Sequence, residues 1–467
     1  MLTRRHFLYG ALAAGGSALG PVYPSGAEEG PSQAPLNLRA SEVQRTLLPN
    51  LQHPAQLFLY NGQSPGPIIR RRCGERLSIL FHNDLAVPST VHWHGIRIIN
   101  EMDGVPGLTQ QPVLPGESHL YDFHLPDAGT YWYHAHFNSL EQVARGLYGP
   151  LIVDGDELES SETEDVVLLL DDWWVGEDGK FIDGFTDWTQ GKPGGRIGNV
   201  ITVNGKPPGQ NMVLPTDRPI RLRLINAANA REFFLEFNQP DAHVVAVDGQ
   251  PLDSPLTIQG SMRLGPAQRL DMVLTLPLSD KVELLEASGT VESGNVLASF
   301  TARQSATLPN RQIALKANDL PEPDLSDPLL VPFVMTGGST SEIEGAVYNG
   351  EVRAQSELAK AQQVWAFNGT ADLPQEPLFR VRRGTSVRLI MENRTGWSHA
   401  MHVHGHHFRV LDSRDELDRA SWRDTVMIDR NQKLDIAFFA DNPGRWLLHC
   451  HMLQHAVSGM RTWFEVE

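Results

Sequence analysis

The chain contains an internal duplication of two histidine motifs, and this repeat constrains its fold more than any other feature. The pattern HxHG occurs at His92–Gly95 and again at His402–Gly405. A second pattern, HxH, occurs at His134–His136 and again at His449–His451. Because internal repeats mark repeated structural units, we expect the two ends of the chain to fold alike.

The spacing around the motifs is also repeated. Gly74 precedes His92 by 18 positions, and Gly384 precedes His402 by 18 positions. A glycine precedes each HxH pair by five positions. The two copies therefore offer eight imidazoles at equivalent places.

Cys450 distinguishes the second copy from the first, in which Ala135 occupies the corresponding position. Successive side chains of a strand point to opposite faces. His449 and His451 would then face one side of a strand and Cys450 the other. One short segment could hold metal on both of its sides.

The residues that follow Cys450 suggest what the thiolate binds. Two imidazoles, one thiolate and a distant methionine are the ligands of a blue-copper electron-transfer site. Cys450, His455 and Met460 supply three of these groups, and His399 is the best candidate for the fourth. Two or three linked residues would join this site to a second metal site, which indicates redox chemistry.

These four motifs resemble those of the multicopper oxidases, the family of laccase, ascorbate oxidase and the bacterial cuprous oxidases. The resemblance covers nearly the whole chain after its N-terminus. It implies four copper ions, one of type 1, one of type 2 and two of type 3. It also implies one-electron oxidation of a reducing substrate at the type 1 copper and four-electron reduction of dioxygen to water at a trinuclear cluster.

The resemblance also assigns each candidate ligand to a copper. The type 1 copper would be held by His399, Cys450, His455 and the weak axial ligand Met460. The type 2 copper would be held by His92 and His402. The type 3 pair would be held by six imidazoles, those of His94, His134, His136, His404, His449 and His451.

Asp103 matches an acidic residue that, in this family, lies close to the copper cluster and helps to deliver protons. It also precedes Gly104, so an ordinary turn aspartate remains the alternative interpretation. In the cuprous oxidases the residue after the last type 1 histidine can be acidic and part of a proton path. Here it is Ala456, which leaves Asp103 as the only carboxylate for which we predict a catalytic role in proton relay.

Many short segments rich in β-branched and aromatic residues, separated by Gly, Pro and Asn, predict an all-β chain of sandwiches. A length of 467 residues allows about three domains. Pro219–Asn226 (PIRLRLIN) echoes Ser386–Asn393 (SVRLIMEN), which indicates a third copy of the unit. The resemblance implies three consecutive cupredoxin-like Greek-key β-sandwiches.

We predict a first domain over 33–155, a second over 156–305, a connection over 306–355 and a third domain over 356–467. The second domain has no HxH pair, so we interpret it as a spacer or wall that holds the outer two in contact. Its segment Asp171–Trp174 is predicted to be a surface loop. The trinuclear cluster would lie between the first and third domains, since each contributes four imidazoles.

Residues 1–27 resemble a twin-arginine export signal. A twin arginine precedes the short apolar run Tyr9–Leu19, and Ser25–Ala27 is a small-x-small cleavage pattern. The run is shorter than the roughly 20 residues that cross a bilayer. We therefore predict delivery to the periplasm by the twin-arginine machinery and no membrane span in the mature protein.

The net charge of −17 argues against a nucleic-acid partner, because phosphate binding needs a basic surface. Three sandwiches in one chain can build the cluster without a second subunit, so we predict a monomer.

Three functions are compatible with these motifs. The first is a laccase-like oxidase of phenols and aromatic amines. The second is a periplasmic metallo-oxidase that acts on cuprous or ferrous ions. A dense methionine segment in the connection would support this function, but the connection carries only Met335. The third is a non-catalytic scaffold of the cell-division type. That scaffold predicts missing ligands, whereas every expected ligand position is filled.

Overall fold

Strands form nearly all of the regular structure in the described part of the chain. The computed structural model describes residues 34–467 except for 50, 52, 156–163, 186–193, 216–218, 239–241, 258, 278–280, 290–295, 304–314 and 339–344. The predicted export signal therefore lies outside the described residues. None of the helices in the described ranges has both the length and the apolar character that a bilayer crossing requires.

The first domain is a sandwich of two four-stranded sheets. Its strands are β1 (Leu36–Arg45), β2 (Ala55–Tyr60), β3 (Ile69–Arg72), β4 (Arg76–Asp84), β5 (Val91–His94), β6 (Ser118–His124), β7 (Gly129–Ala135) and β8 (Tyr148–Asp154). One sheet has the order β2-β1-β4-β6 and the other β3-β8-β7-β5. A 3₁₀ turn (Asn100–Met102) follows β5, and helix α1 (Ser139–Ala144) follows β7.

The middle domain pairs a six-stranded with a five-stranded sheet. Its strands are β9 (Glu164–Trp173), β10 (Val200–Val203), β11 (Gln210–Pro215), β12 (Ile220–Asn226), β13 (Phe233–Phe237), β14 (Ala242–Val247), β15 (Gln250–Leu256), β16 (Met262–Leu264), β17 (Arg269–Leu274), β18 (Val282–Glu286) and β19 (Val296–Arg303). The sheet orders are β10-β9-β12-β17-β14-β15 and β11-β19-β18-β13-β16.

The third domain has the same plan with additions. Its strands are β20 (Leu329–Gly337), β21 (Gly345–Tyr348), β22 (Glu351–Ala354), β23 (Trp365–Phe367), β24 (Arg380–Val381), β25 (Thr385–Asn393), β26 (His399–Val403), β27 (Phe408–Val410), β28 (Trp422–Arg423), β29 (Thr425–Ile428), β30 (Lys433–Ala440), β31 (Gly444–Cys450) and β32 (Arg461–Val466). Its helices are α2 (Gln355–Lys360), α3 (Glu416–Ala420) and α4 (Leu453–Val457).

The sheets of the third domain have the orders β23-β20-β25-β30-β27-β28 and β24-β32-β31-β26-β29, beside the hairpin β21-β22. In each of the three domains the first strand runs parallel to the strand that carries the repeated segment, as β1 does with β4, β9 with β12, and β20 with β25. The prediction of three consecutive β-sandwich domains is confirmed. The segment 306–355, predicted to be a connection, contributes β20 to the first of these sheets.

The duplicated motifs occupy equivalent strand pairs. His92 on β5 lies opposite His134 on β7, and His402 on β26 lies opposite His449 on β31. The register of the two pairs is therefore the same. The alanine of the first HxH motif stands where the second motif has its cysteine.

The prediction of a surface loop at Asp171–Trp174 is wrong, because β9 continues to Trp173 and is paired there with β10. Both aspartates are buried. The hydroxyl of Tyr148 donates to Asp171, and Arg231 Nε donates to Asp172 over 2.8 Å. These partners stabilise carboxyl groups that a sequence pattern assigns to the surface.

The buried apolar side chains of the first and third domains form one continuous cluster, whereas the middle domain has a cluster of its own. The two domains that carry the motifs are therefore packed directly against each other.

Candidate metal centre

The end of β31 presents His449 and His451 to one face. His449 Nε2 lies 3.2 Å from Nε2 of His404, and His451 Nε2 lies 3.4 Å from Nε2 of His134. The strand thus reaches imidazoles of both the first and the third domain from a single segment, as the alternation of side chains predicts.

Cys450 faces the opposite side. Its Sγ lies 3.8 Å from Nδ1 of His399 and 3.7 Å from Nδ1 of His455, and these two nitrogens are 3.0 Å apart. Met460 is fully buried. It lies near this group, because its backbone N–H donates to the carbonyl of His455 over 3.0 Å. All four candidate type 1 residues are thus brought to one place.

Two neighbours orient these imidazoles. Thr395 Oγ1 lies 2.8 Å from Nε2 of His399, which leaves Nδ1 of that ring for a metal. The indole of Trp365 packs on both rings, with centroids 5.1 Å from His399 and 4.7 Å from His455. A fixed ring orientation of this kind is what a metal-binding imidazole needs.

Eight imidazoles from the four motifs meet between the first and third domains. Three overlapping groups have ligand nitrogens within 4.8 Å of one another, namely His92–His94–His134, His92–His402–His404 and His136–His404–His449. His451 joins them through its contact with His134. Seven of these rings are buried, and His136 is half-buried.

Hydrogen bonds at one nitrogen of a ring leave the other free for metal. Nδ1 of His92 donates to the carbonyl of Asp103 over 2.8 Å, and Nδ1 of His402 to that of Asp424 over 2.9 Å. Nε2 of both rings is buried without a protein hydrogen-bond partner. Because buried polar atoms are rarely left unpaired, these two nitrogens fit a metal site.

His94 has the opposite arrangement. Its Nε2 lies 3.2 Å from Oδ1 of Asp424, whereas its Nδ1 is buried and unpaired. His94 would therefore offer Nδ1, while His92 and His402 would offer Nε2.

Burial keeps these imidazoles neutral, which is the form that binds metal. Burial, helped by neighbouring imidazoles, lowers the pKa of His94, His134, His136, His399, His404, His449 and His451 well below the usual value, and burial also lowers the pKa of His402. Burial raises the pKa of the Cys450 thiol to about 12, so a metal must displace its proton. Neutral imidazoles with one thiolate are a donor set that fits copper.

Asp103, the predicted proton-relay residue, is fully buried among the imidazoles. His404 Nδ1 donates to its Oδ2 over 2.9 Å, and His92 Nδ1 lies 3.2 Å from its Oδ1. The structure therefore places Asp103 against two candidate ligands rather than in a solvent-exposed turn.

Asp424 contacts the site but was not found in the sequence. It accepts from Arg269, whose guanidinium, together with His94 and His402, outweighs burial and holds the pKa of Asp424 well below its usual range. His407 Nε2 lies 3.7 Å from Oδ2 of this carboxylate. Asp424 lies between the two motifs of the second copy and belongs to neither, so a single sequence carries no signal for it.

Comparisons with known proteins agree with this geometry. Residues 42–158, 164–306 and 349–467 each match a family described as multicopper oxidase. The chain belongs to the multicopper oxidase family. This multicopper oxidase is an oxidoreductase that reduces dioxygen. Its clustered histidine and cysteine side chains are consistent with copper sites.

Similar proteins include bacterial and fungal oxidases. A crystal structure of a multi-copper oxidase from Pseudomonas thermotolerans has a TM-score of 0.80 and 31% identity, covering 93% of this chain and 99% of that one. Multicopper oxidase MmcO of Mycobacterium tuberculosis is 28% identical over 86% of this chain and 82% of its own length. Laccase-1 of Botryotinia fuckeliana is 28% identical over 87% of this chain and 77% of its own length.

Proposed function

We propose that this multicopper oxidase is laccase-like. When bound, one type 1, one type 2 and two type 3 coppers supply one-electron oxidation of phenols or aromatic amines and four-electron reduction of dioxygen to water. The chain's own residues hold these ions, orient their ligands and exclude water from the buried cluster.

The position of Cys450 between two imidazoles carries this proposal. Its thiol lies against His399 and His455, while the adjacent residues His449 and His451 lie against rings of the trinuclear group. The three consecutive residues 449–451 therefore link the two sites covalently. Such a link supports electron transfer, whereas a non-catalytic scaffold has no need of it.

The ring geometry supports a division of the eight imidazoles. His92 and His402, whose unpaired Nε2 atoms belong to rings with centroids 5.8 Å apart, would hold the type 2 copper. The six others would hold the type 3 pair in two sets, namely His94, His134 and His451, and His136, His404 and His449.

Asp103 would deliver protons to this cluster. Its carboxylate contacts one imidazole of the first domain and one of the third, so a proton held on Oδ1 or Oδ2 is next to both halves of the site. General acid catalysis needs a group within hydrogen-bond reach of the proton acceptor, and the position of Asp103 against two candidate copper ligands supports this role.

A second candidate is a metallo-oxidase that acts on cuprous or ferrous ions. The burial of the proposed type 1 site, where the reducing substrate would give up its electron, favours this function. The imidazole of His455 is only 1% exposed. A Cβ placed on Gly195 of the middle domain would lie 3.9 Å from its Nε2, so the backbone there covers the ring edge. Both laccases and metallo-oxidases occur among similar proteins.

Oxygen uptake by the copper-loaded protein tests the proposal. A phenolic donor and cuprous ion are supplied in parallel, and the visible spectrum is recorded on the same sample. Uptake with the phenol and an intense thiolate-to-copper band support the laccase-like function. Uptake with cuprous ion alone favours the metallo-oxidase, and a colourless, inactive protein with full copper loading contradicts both.

We also propose that the protein is a monomer exported to the periplasm. One chain supplies all eight imidazoles, and residues 1–27 carry the twin-arginine pattern. Light scattering of the purified protein tests the first statement. Replacement of Arg4 and Arg5 by lysine tests the second, since the protein should then remain in the cytoplasmic fraction.

A further inference from the structure

Arg269 of the middle domain is fully buried at the start of β17. Its guanidinium makes a bidentate ion pair with the third domain, donating from Nη1 to Oδ1 of Asp424 over 2.9 Å and from Nη2 to Oδ2 over 2.6 Å. Planar, two-point pairs of this kind fix the orientation of the carboxylate as well as its position.

The same guanidinium contacts the first domain and its own. Nε donates to the carbonyl of Thr130 over 3.2 Å, and Nη1 donates to that of Ala267 over 3.3 Å. Asp248 Oδ1 lies 3.6 Å from Nη1. One side chain of the middle domain therefore meets all three domains, so this domain does more than keep the outer two in contact.

The other side of Asp424 faces the imidazoles. His94 Nε2 lies 3.2 Å from Oδ1, and the backbone carbonyl accepts from His402 Nδ1 over 2.9 Å. Thr425 Oγ1 donates to the same Oδ1 over 2.8 Å. Oδ1 also lies 3.6 Å from His402 Nδ1, so the carboxylate adjoins two rings, one from each motif-bearing domain.

The space around the ion pair is full. A Cβ placed on Gly95 would lie 2.3 Å from Nη2 of Arg269 and 2.7 Å from Oδ2 of Asp424. The glycine that ends the first HxHG motif is therefore needed to admit the guanidinium. A shorter side chain at position 269 would leave the carboxylate buried without its main partner, which is costly.

We propose that Arg269 is a positioning residue for the candidate copper ligands His402 and His94, and that it acts through Asp424. This inference rests on the proposed copper function, because only a bound ion gives the ring orientation a consequence. Within the described residues, the hydrogen bonds and ion pairs of Arg269 go to Asp424, Asp248 and two backbone carbonyls rather than to a candidate ligand, so we expect its effect on ring orientation to pass through the Asp424 carboxylate.

The test uses the full-length copper-loaded protein with R269K, R269Q, D424N and the double variant R269Q/D424N. We expect R269Q to release the type 2 copper at about 10-fold lower chelator concentration, since partners of metal-bound histidines typically contribute 10–100-fold to affinity. Its type 2 electron paramagnetic resonance signal should have a changed hyperfine splitting. R269K keeps the positive charge but loses the planar, two-point hydrogen-bonding group, so its copper affinity and resonance signal should fall between those of R269Q and the wild type.

The double variant tests the route. If Arg269 acts through Asp424, R269Q/D424N should match D424N alone in both copper release and resonance signal. Additive effects would overturn the proposal. If R269Q does not fold, R269K decides, because an unchanged type 2 signal in that variant also overturns it.

Arg221 provides a matched control. It lies on β12 of the same domain, is buried, and donates from Nε and Nη2 to Asp271 over 3.1 and 2.7 Å. R221Q should lower stability without changing the type 2 signal. A type 2 change in R221Q equal to that in R269Q would reduce Arg269 to a general structural role. A wild-type protein that shows no type 2 signal would contradict the proposed function instead.

Discussion

Asp103 and His404 join the first domain to the third by a buried contact, in which His404 Nδ1 donates to Asp103 Oδ2 over 2.9 Å. The backbone carbonyl of Asp103 also accepts a hydrogen bond from His92 Nδ1 over 2.8 Å. One aspartate thus orients an imidazole of each domain, and its carboxylate is the acidic group next to both.

Replacement of Asp103 by asparagine should slow turnover while copper remains bound. The amide keeps the size of the side chain but cannot carry a proton, and positioned proton transfer typically contributes 10²–10⁴-fold to rate. We expect kcat to fall at least about 10-fold with four coppers per chain retained in the proposed stoichiometry. Steady-state oxygen uptake and copper analysis measure the two quantities.

Asp122 offers a control for this variant. It lies on β6 of the same domain, and its carboxylate pairs with the exposed side chain of Arg76 rather than with an imidazole. D122N should turn over like the wild type, because its carboxylate pairs with Arg76 and, in the part of the chain that the structure describes, contacts no candidate ligand, and because loss of an exposed ion pair should barely change stability. Equal kcat values for D103N and the wild type would rule out the relay.

Replacement of Cys450 by serine should abolish the visible thiolate-to-copper band and oxidation of the donor. A hydroxyl is a poor ligand for copper, whereas the eight imidazoles on the other side of β31 are unchanged. The type 2 resonance signal should therefore persist. Absorption, resonance and oxygen uptake on one sample distinguish this result from general loss of structure.

Cys73 is the control for the thiol chemistry. It is the other cysteine of the chain; it is exposed, and its thiol donates to the carbonyl of Pro126 over 3.2 Å. C73S should keep the visible band and full activity. A visible band that survives in C450S would contradict the assignment of the type 1 site.

The duplicated motifs made the ligand set accessible to sequence reasoning, because strand alternation and equal spacing are local properties. Asp424 and Arg269 could not be found in this way. They are 155 positions apart and meet only when three domains pack together. Asp171 and Asp172 misled for a related reason, since their partners Tyr148 and Arg231 lie 23 and 59 positions away along the chain.

The stability of the copper-free protein should decrease as the pH falls from 6.5 towards 4, in part because of His407. Burial lowers the pKa of His407 to about 4, although Asp424 acts in the other direction. The unfolded chain takes up this proton near pH 6.5, but the folded chain does not until about pH 4. Folding is therefore favoured above pH 6.5, and this contribution is lost as the pH falls.

Variant H407Q isolates that contribution. Between pH 7 and 5 the wild type should lose about 2 kcal/mol more unfolding free energy than the variant. This value follows because only the unfolded chain binds the His407 proton over the roughly 1.5 pH units from 6.5 to 5. Urea denaturation of both copper-free proteins at the two pH values measures the difference. Identical losses in the two proteins would contradict a buried, neutral His407.

Gly95 and Gly74 form a natural pair for testing why the first HxHG motif ends in glycine. Both have positive φ, +87° and +83°, but a Cβ on Gly95 would lie 2.3 Å from Nη2 of Arg269, whereas a Cβ on Gly74 would meet nothing within 4 Å. G74A should therefore cost only the strain of the left-handed backbone, about 1–2 kcal/mol. G95A should cost that strain plus about 1–3 kcal/mol of overpacking, and should displace the Arg269–Asp424 pair.

Thermal unfolding gives the two costs, and the type 2 resonance signal should change in G95A but not in G74A. Equal destabilisation with an unchanged signal would show that backbone conformation alone selects glycine at this position.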